Sequence, residues 1–296
     1  MAEIIQKDGT WTFDGETLRL TPGRDKNVGL LRRTLGELTV PLEALAGISL
    51  EQGKKSGRLR LRLRHGADPL LHATGGRLTE PHDPYRLIVE SDRYGVAEYF
   101  TEEVRTALLL EQIPSGPVTG YLLPGPSLPL SVSAGDGTVS FDGERVRLEW
   151  NWKTEDAKSA AGPRTLAVPD LEGVEWQPAS GLDNGHLRFL VRHAPAKVPA
   201  KYDPNAVELW GFRKDPLMAL VAAAVQARLP HPSAPAAPAL DGPRDHEDGR
   251  PAAPDRAEDD HDALLRRLRE LGELHRAGVL TDEEFTLAKQ AVLKRM

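Results

Sequence analysis

The sharpest chemical signal in the 296-residue chain is KKSGRLRLRLR, residues 54–64. Lys54 and Lys55 precede Arg58, Arg60, Arg62 and Arg64, and the arginines alternate with Leu59, Leu61 and Leu63. On a β-strand this alternation puts the guanidinium groups on one face and the leucines on the other. A row of forked donors suits anions: a phosphorylated partner, an acidic peptide, lipid headgroups, or the chain's own acidic segment. The competing reading is a solvated strand face whose charges block edge-to-edge association.

Two loops are the next candidates. Seventeen residues separate Leu20 from Leu38, and seventeen separate Leu148 from Leu166. The first loop carries Arg24, Lys26, Arg32 and Arg33 around an apolar Leu30-Leu31 step. The second begins with Trp150 and Trp152, which strand spacing places on one face. Loops of this length in small domains are often functional. Alternatively the leucines and tryptophans simply pack, against the other half of the chain included.

Reaction chemistry finds little support. His65 and His193 end equivalent segments, but neither has a neighbour at metal-ligand spacing. His246-Glu247-Asp248 lies in a Pro- and Ala-rich stretch with nothing to hold ligands in geometry. Asp14, Asp142, Asp83-Pro84 and Asp203-Pro204 read as turn residues. No phosphate loop, dinucleotide fingerprint or nucleophile elbow is present. The chain has no cysteine, hence no disulfide and no thiolate site. The expectation is a non-enzymatic protein without cofactor or metal, with an unrecognised enzyme as the alternative.

The elements that must carry these residues are announced by a repeat. DGTWTFDGETLRL (8–20) returns as DGTVSFDGERVRL (136–148), nine of thirteen positions being identical. LTVP (38–41) returns as LAVP (166–169), and GRLRLRLRH (57–65) as GHLRFLVRH (185–193), all 128 positions apart. HDPYRLIVE (82–90) pairs with YDPNAVELW (202–210) at 120. The unit is a duplicated domain, too long for a solenoid repeat. Asp-Gly between alternating segments predicts a hairpin in each copy. Each copy then ends in an amphipathic helix: Val96, Phe100, Val104, Ala107 and Leu108 in the first, Leu217, Leu220, Val221, Ala224 and Val225 in the second, with Asp215 placed to cap. The expected boundaries are 1–114 and 131–230 for the repeats, with 115–130 as linker.

Residues 231–262 hold nine acidic residues against three arginines, which accounts for the whole net charge of −6. That segment reads as a flexible tether. The remaining chain, being neutral, carries no overall field that would by itself recruit nucleic acid or membrane. Order is expected to resume over 263–296. Leu264, Leu268 and Leu271 share a face there, Thr281 and Glu284 form a capping box, and Leu280 and Phe285 a hydrophobic staple that Val292 extends. A helical hairpin this short needs a partner surface, so self-association or docking on a protein is expected. The opening MAEIIQKDGTWTFDG lacks the pattern of a signal peptide, and LMALVAAAV (217–225) is far shorter than a membrane span, so a cytoplasmic location is expected.

The DGTxxFDGExxRL opening, the L-x-VP segment and the GxLRxxxRH strand resemble a bacterial family, domain of unknown function 4429, in two copies. The segment from Leu264 to Met296, with its RAGVLTDEEF core, is similar to the SHOCT (short C-terminal) module. The resemblance implies an α+β protein: two tandem pleckstrin-homology-like bent sheets or barrels, each capped by a C-terminal helix. It also implies an oligomerisation module at the end of the chain, and brings no catalytic residues. The expected role is a binding or adaptor protein. Peripheral association with an anionic membrane or phosphorylated ligand through 54–64, aided by Arg32 and Arg33, is the alternative.

Overall fold

Two aspartates shape the hairpins that the repeat predicts. The Asp14 carboxylate accepts the backbone N–H of Glu16 (3.0 Å) and Thr17 (2.8 Å), while Gly15 turns the chain with φ at 112°. Asp142 does the same for Glu144 and Arg145, with Gly143 at 110°. Without a Cβ, glycine adopts such angles at no steric cost. A computed structural model of the protein describes residues 1–193 and 198–234. The chain divides into units Met1–Ala236 and Ala237–Met296. The expected SHOCT-like segment and nearly all of the tether lie outside the described residues.

The protein is of mixed α+β type, built from small antiparallel sheets and few helices. Its first half runs β1 (Ala2–Gln6), β2 (Gly9–Phe13), β3 (Thr17–Pro22), α1 (Leu30–Leu35), β4 (Leu38–Pro41), β5 (Leu45–Glu51), β6 (Ser56–Leu63), α2 (Pro69–Thr74), β7 (Arg86–Glu90) and α3 (Tyr94–Leu110). β1 to β4 form one antiparallel sheet in chain order, and β5 to β7 form another. The second half repeats the plan. β8 (Leu130–Ala134), β9 (Gly137–Phe141), β10 (Arg145–Trp150) and β11 (Arg164–Ala167) make its four-stranded sheet, with α4 (Asp156–Ala160) between the last two. β12 (Leu171–Gln177), β13 (Gly185–Val191) and β14 (Ala206–Leu209) make its three-stranded sheet, and α5 (Met218–Gln226) follows.

Strand pairing corrects one detail of the repeat. Leu18 pairs with Val40, whereas Val146 pairs with Leu166, so this part of the two copies matches at 126 positions and not 128. The similarity of LTVP to LAVP is a two-residue slip. The true equivalents share L-x-G-[IV], Leu45 to Ile48 and Leu171 to Val174, where the same register irregularity occurs in both copies. The second copy lacks two residues before α4 and regains two between β12 and β13. Matched at 126, Arg32 on α1 and Lys158 on α4 are equivalent.

Those two cations find equivalent anions. Arg32 is buried and forks onto Asp8, with Nη1 at 3.0 Å from both carboxylate oxygens and Nη2 at 3.2 Å from its carbonyl. Lys158 is fully buried, and its Nζ donates to Asp136 Oδ2 at 2.5 Å. Each carboxylate also reaches the other sheet: Asp8 accepts Ile88 N–H on β7 (3.1 Å), and Asp136 accepts Glu208 N–H on β14 (2.8 Å). One side chain therefore fastens hairpin, loop helix and second sheet together in each half. Arg32, a candidate for anion recognition, is spoken for by this pair.

The halves meet through α1 and α2. Leu31, Leu70 and Ala73 belong to the apolar core of the second half, with α2 packed on α5 and β12. This explains why α5 is buried all round, where a single apolar stripe was expected. Asp215 does not cap that helix. Its Oδ2 accepts the N–H groups of Trp210, Gly211 and Phe212 at 2.8, 2.8 and 3.1 Å. On α3, Ala97 replaces Val96 in the buried stripe, and Val96 faces solvent. Residues 115–130 are no free linker. Val118 and Leu123 enter the first core, and Leu122 and Leu123 donate to the Ala67 carbonyl at 2.8 and 3.0 Å. His231, expected in the tether, packs edge-on against Tyr121 and meets the Gly66 carbonyl at 3.0 Å.

Replacing Asp136 by alanine leaves the buried Lys158 ammonium without a counter-charge, and should lower stability by about 3–5 kcal/mol in urea denaturation. Asp136→Ala combined with Lys158→Met should recover most of that loss.

Candidate functional site

The basic strand is placed as its alternation predicts. Leu59, Leu61 and Leu63 are buried, and Arg58, Arg60 and Arg62 are exposed on the outer face of β5–β6–β7. Its members are not equally free. Arg64 turns away and donates to the carbonyls of Gly116 (2.8 Å) and Glu43 (3.0 Å), pinning the segment that leads into the second half. Arg58 and Arg86 share Glu80, at 3.5 and 2.6 Å, and this pairing draws the Glu80 carboxyl below its usual range. Arg62 reaches the Ala46 carbonyl at 3.3 Å. Lys54, Lys55 and Arg60 make no ion pair among the described residues. Arg60 stands opposite Arg86 across the β6–β7 ladder, with Glu80 paired to Arg86 and the Asp83 carboxylate within electrostatic reach of both arginines.

The same position in the second half is handled differently. Arg188, equivalent to Arg60, is buried, with Asp203 Oδ2 at 2.9 Å from its Nε, and its Nη2 donates to the Val198 carbonyl at 2.7 Å. Chain 198–203 thus covers a face that the first half leaves open and basic.

The loop candidates separate. Leu31 packs in the core of the other half, Leu30 is half-buried, and Arg33 is exposed on α1. Trp150 turns inward, donating from Nε1 to the Gly162 carbonyl at 2.8 Å with the Lys158 ammonium 4.6 Å from its ring centre. Trp152 is 88% exposed. The two tryptophans do not share a face because the strand ends at Trp150: Asn151 N–H bonds the Asp136 carbonyl (3.1 Å), and the chain turns out of the sheet. His65 and His193 are both exposed at strand exits, and no cluster of three potential metal ligands occurs among the described residues.

Sequence reasoning missed a cleft of about 220 Å³ between the halves. Leu78, Thr79 and His82 form one wall; Trp176, Phe212 and Asp215 lie on the other. His82 Nδ1, Trp176 Nε1 and Asp215 Oδ1 are buried with no hydrogen-bond partner among the described residues, so unmet polar capacity gathers around this cleft. Its residues come from non-equivalent positions of the two copies, and no local spacing signals it. A wider groove of about 420 Å³ crosses the outer face of β8–β10, but outward-pointing Ser131, Ser140 and Arg147 mark it as solvated sheet surface.

A family model described as Domain of unknown function (DUF4429) matches residues 11–105 and 139–226. The chain belongs to this family. The match falls once on each half, so the duplication is a tandem pair of DUF4429 repeats. No curated protein matches the chain. The matched segments include the basic strand, both loop helices and α5, and stop short of the acidic segment and 263–296. No helix among the described residues is long and apolar enough to cross a membrane.

Two histidines near the contact between the DUF4429 repeats tie stability to pH. Burial holds the His82 imidazole below its usual pKa of 6.5, helped by Arg32. His72, exposed at the surface, is lowered by partial desolvation and by His231 and His65; its Nδ1 lies 2.6 Å from the Tyr121 hydroxyl. Both favour the neutral ring in the folded state, so their contribution is complete above about pH 6.5 and is lost as pH falls below it. The melting temperature should drop between pH 7 and 5, and His72→Gln with His82→Gln should flatten that drop.

Proposed function

We propose that the protein is a non-enzymatic adaptor whose first repeat recognises an anionic partner through the outer face of β6. The observation that carries this is the contrast between the repeats. Arg60, Lys54 and Lys55 are exposed and unpaired among the described residues, while the equivalent Arg188 is buried under its own chain. Each repeat is read as pleckstrin-homology-like, a reading supported by four strands, then three, then a helix in the same order twice. Segment 263–296 is read as a SHOCT-like module that joins copies of the chain or docks on another protein. Its tether raises the local concentration of that contact. The cytoplasm is the proposed location.

A second reading has the same face meet an anionic membrane, and the exposed Lys54-Lys55 turn favours it. Arg32 adds nothing to it, being buried against Asp8.

Arg60→Glu with Arg62→Glu, both at exposed positions, should abolish salt-sensitive binding to a polyglutamate peptide while leaving the melting temperature within a few degrees. Sedimentation with phosphatidylserine vesicles separates the readings: binding to vesicles but not to peptide selects the membrane. If neither probe binds the native protein at low salt, both fail. For the terminal module, Leu268→Asp with Phe285→Asp in the full chain should reduce the solution mass to that of a monomer, read by light scattering. A native protein already monomeric at high concentration would remove self-association.

A further inference from the structure

The second repeat carries an arrangement absent from the first. Three aromatic rings converge on one ammonium: Lys153 Nζ lies 5.3 Å from the ring centre of Trp152, 5.3 Å from that of Trp210 and 5.5 Å from that of Phe212. Trp152 is 88% exposed and Phe212 58%, so large apolar rings stand in solvent around a charge. Trp210 and Phe212 meet edge to face, with centroids 5.9 Å apart.

Both sides of this cluster are fixed from below. Trp210 and Phe212 flank Gly211, whose φ of 84° lets both rings turn to the same side, and the buried Asp215 carboxylate clamps all three backbone N–H groups. Trp210 is further held by its Nε1–H donating to Glu208 at 3.3 Å. On the other side, Asn151 Oδ1 accepts Lys153 N–H (2.9 Å), and the Thr154 hydroxyl bonds the Asp136 carbonyl. Asp215 and Asn151 are thus positioning residues for the rings and the ammonium. In the first repeat the places of Trp210 and Phe212 are taken by Glu90 and Asp92, so duplication did not supply the rings and the scaffold does not need them.

We infer that Trp152, Trp210 and Phe212 form a binding site for an organic ammonium group, which Lys153 occupies from within the chain until a ligand displaces it. The faces of aromatic rings carry negative potential, and cations sit about 6 Å or less from their centroids. Lys153 shows that a primary ammonium fits this cage. The bound group is an amine or methylated amine, borne by a small molecule or by a lysine side chain. Arg213 and Lys214 lie beside the cage and Glu208 beneath it, so the ligand's charge is compact and its remainder not strongly cationic.

The experiment follows the indole N–H signals of Trp152 and Trp210 by NMR, assigned through single Trp→Phe variants, at constant ionic strength. Two probes are titrated: tetramethylammonium chloride, and an uncharged-flank peptide bearing trimethyllysine, with sodium chloride as the control ion. Removing the internal occupant frees the site, so Lys153→Ala should bind at least one probe about tenfold more tightly than the native protein. Trp152→Ala in that background should remove the effect without lowering the melting temperature, since the ring is exposed. Response to tetramethylammonium alone assigns a small free cation, and response to the peptide assigns a side chain. If Lys153→Ala answers neither probe more than it answers sodium, or binds no better than the native protein, the inference is overturned.

Discussion

A buried carboxylate at the first turn of each repeat decides which elements can meet. Asp8 and Asp136 stand between the two sheets, each accepting a backbone N–H from the far sheet and a side-chain cation from the loop helix. Taking two charges out of water is expensive, and their attraction offsets this only with good geometry. The weight of the pair in the fold therefore lies in what breaking it would leave behind, a charge buried without its partner. With it in place, α1 or α4 has one docking position, and β7 or β14 one register against the first hairpin. Everything outside that frame is free to change between copies.

Much of the frame was legible in the sequence. Asp-Gly with alternation on either side gave the hairpins, and Leu59, Leu61 and Leu63 gave the buried face of β6, because both signals depend on near neighbours. The two-residue slip at LTVP was not legible, since a four-residue likeness outweighs a correct but gapped match to L-x-G-[IV]. The Asp8–Arg32 pair joins residues 24 positions apart and substitutes lysine for arginine in the other copy, so neither spacing nor identity marks it. The all-round burial of α5 was hidden for a different reason: its second wall is supplied by α2, from the other repeat. Local periodicity registers how a helix packs on its own sheet and is blind to a second partner.

Site residues divided along the same line. The exposed arginines could be placed on a face because a strand alternates. Arg32, Leu31 and Trp150 could not be told from surface residues, because loop sequence does not say which side chains turn inward. All three proved to hold the fold, whereas Arg60, Trp152 and Phe212 are exposed. Trp210 and Phe212 drew no attention in the sequence because the turn that aims them depends on Asp215, which reads locally as a helix cap.

The consequence of fusing the repeats is geometric. Leu31, Leu70 and Ala73 sit in the core of the second half, and residues 115–130 and His231 pack back on the first. Two repeats joined by a loose coil would present their surfaces at variable separation, and the second contact of any ligand would pay for ordering that coil. Here the junction is an apolar core, so the open basic face of one repeat and the aromatic face of the other are held at a fixed spacing. Divergence has then acted where the frame imposes least: a strand face left bare in one copy and roofed in the other, a turn acidic in one and aromatic in the other. The two copies thus keep the same strand order and differ in what their outer faces and turns carry.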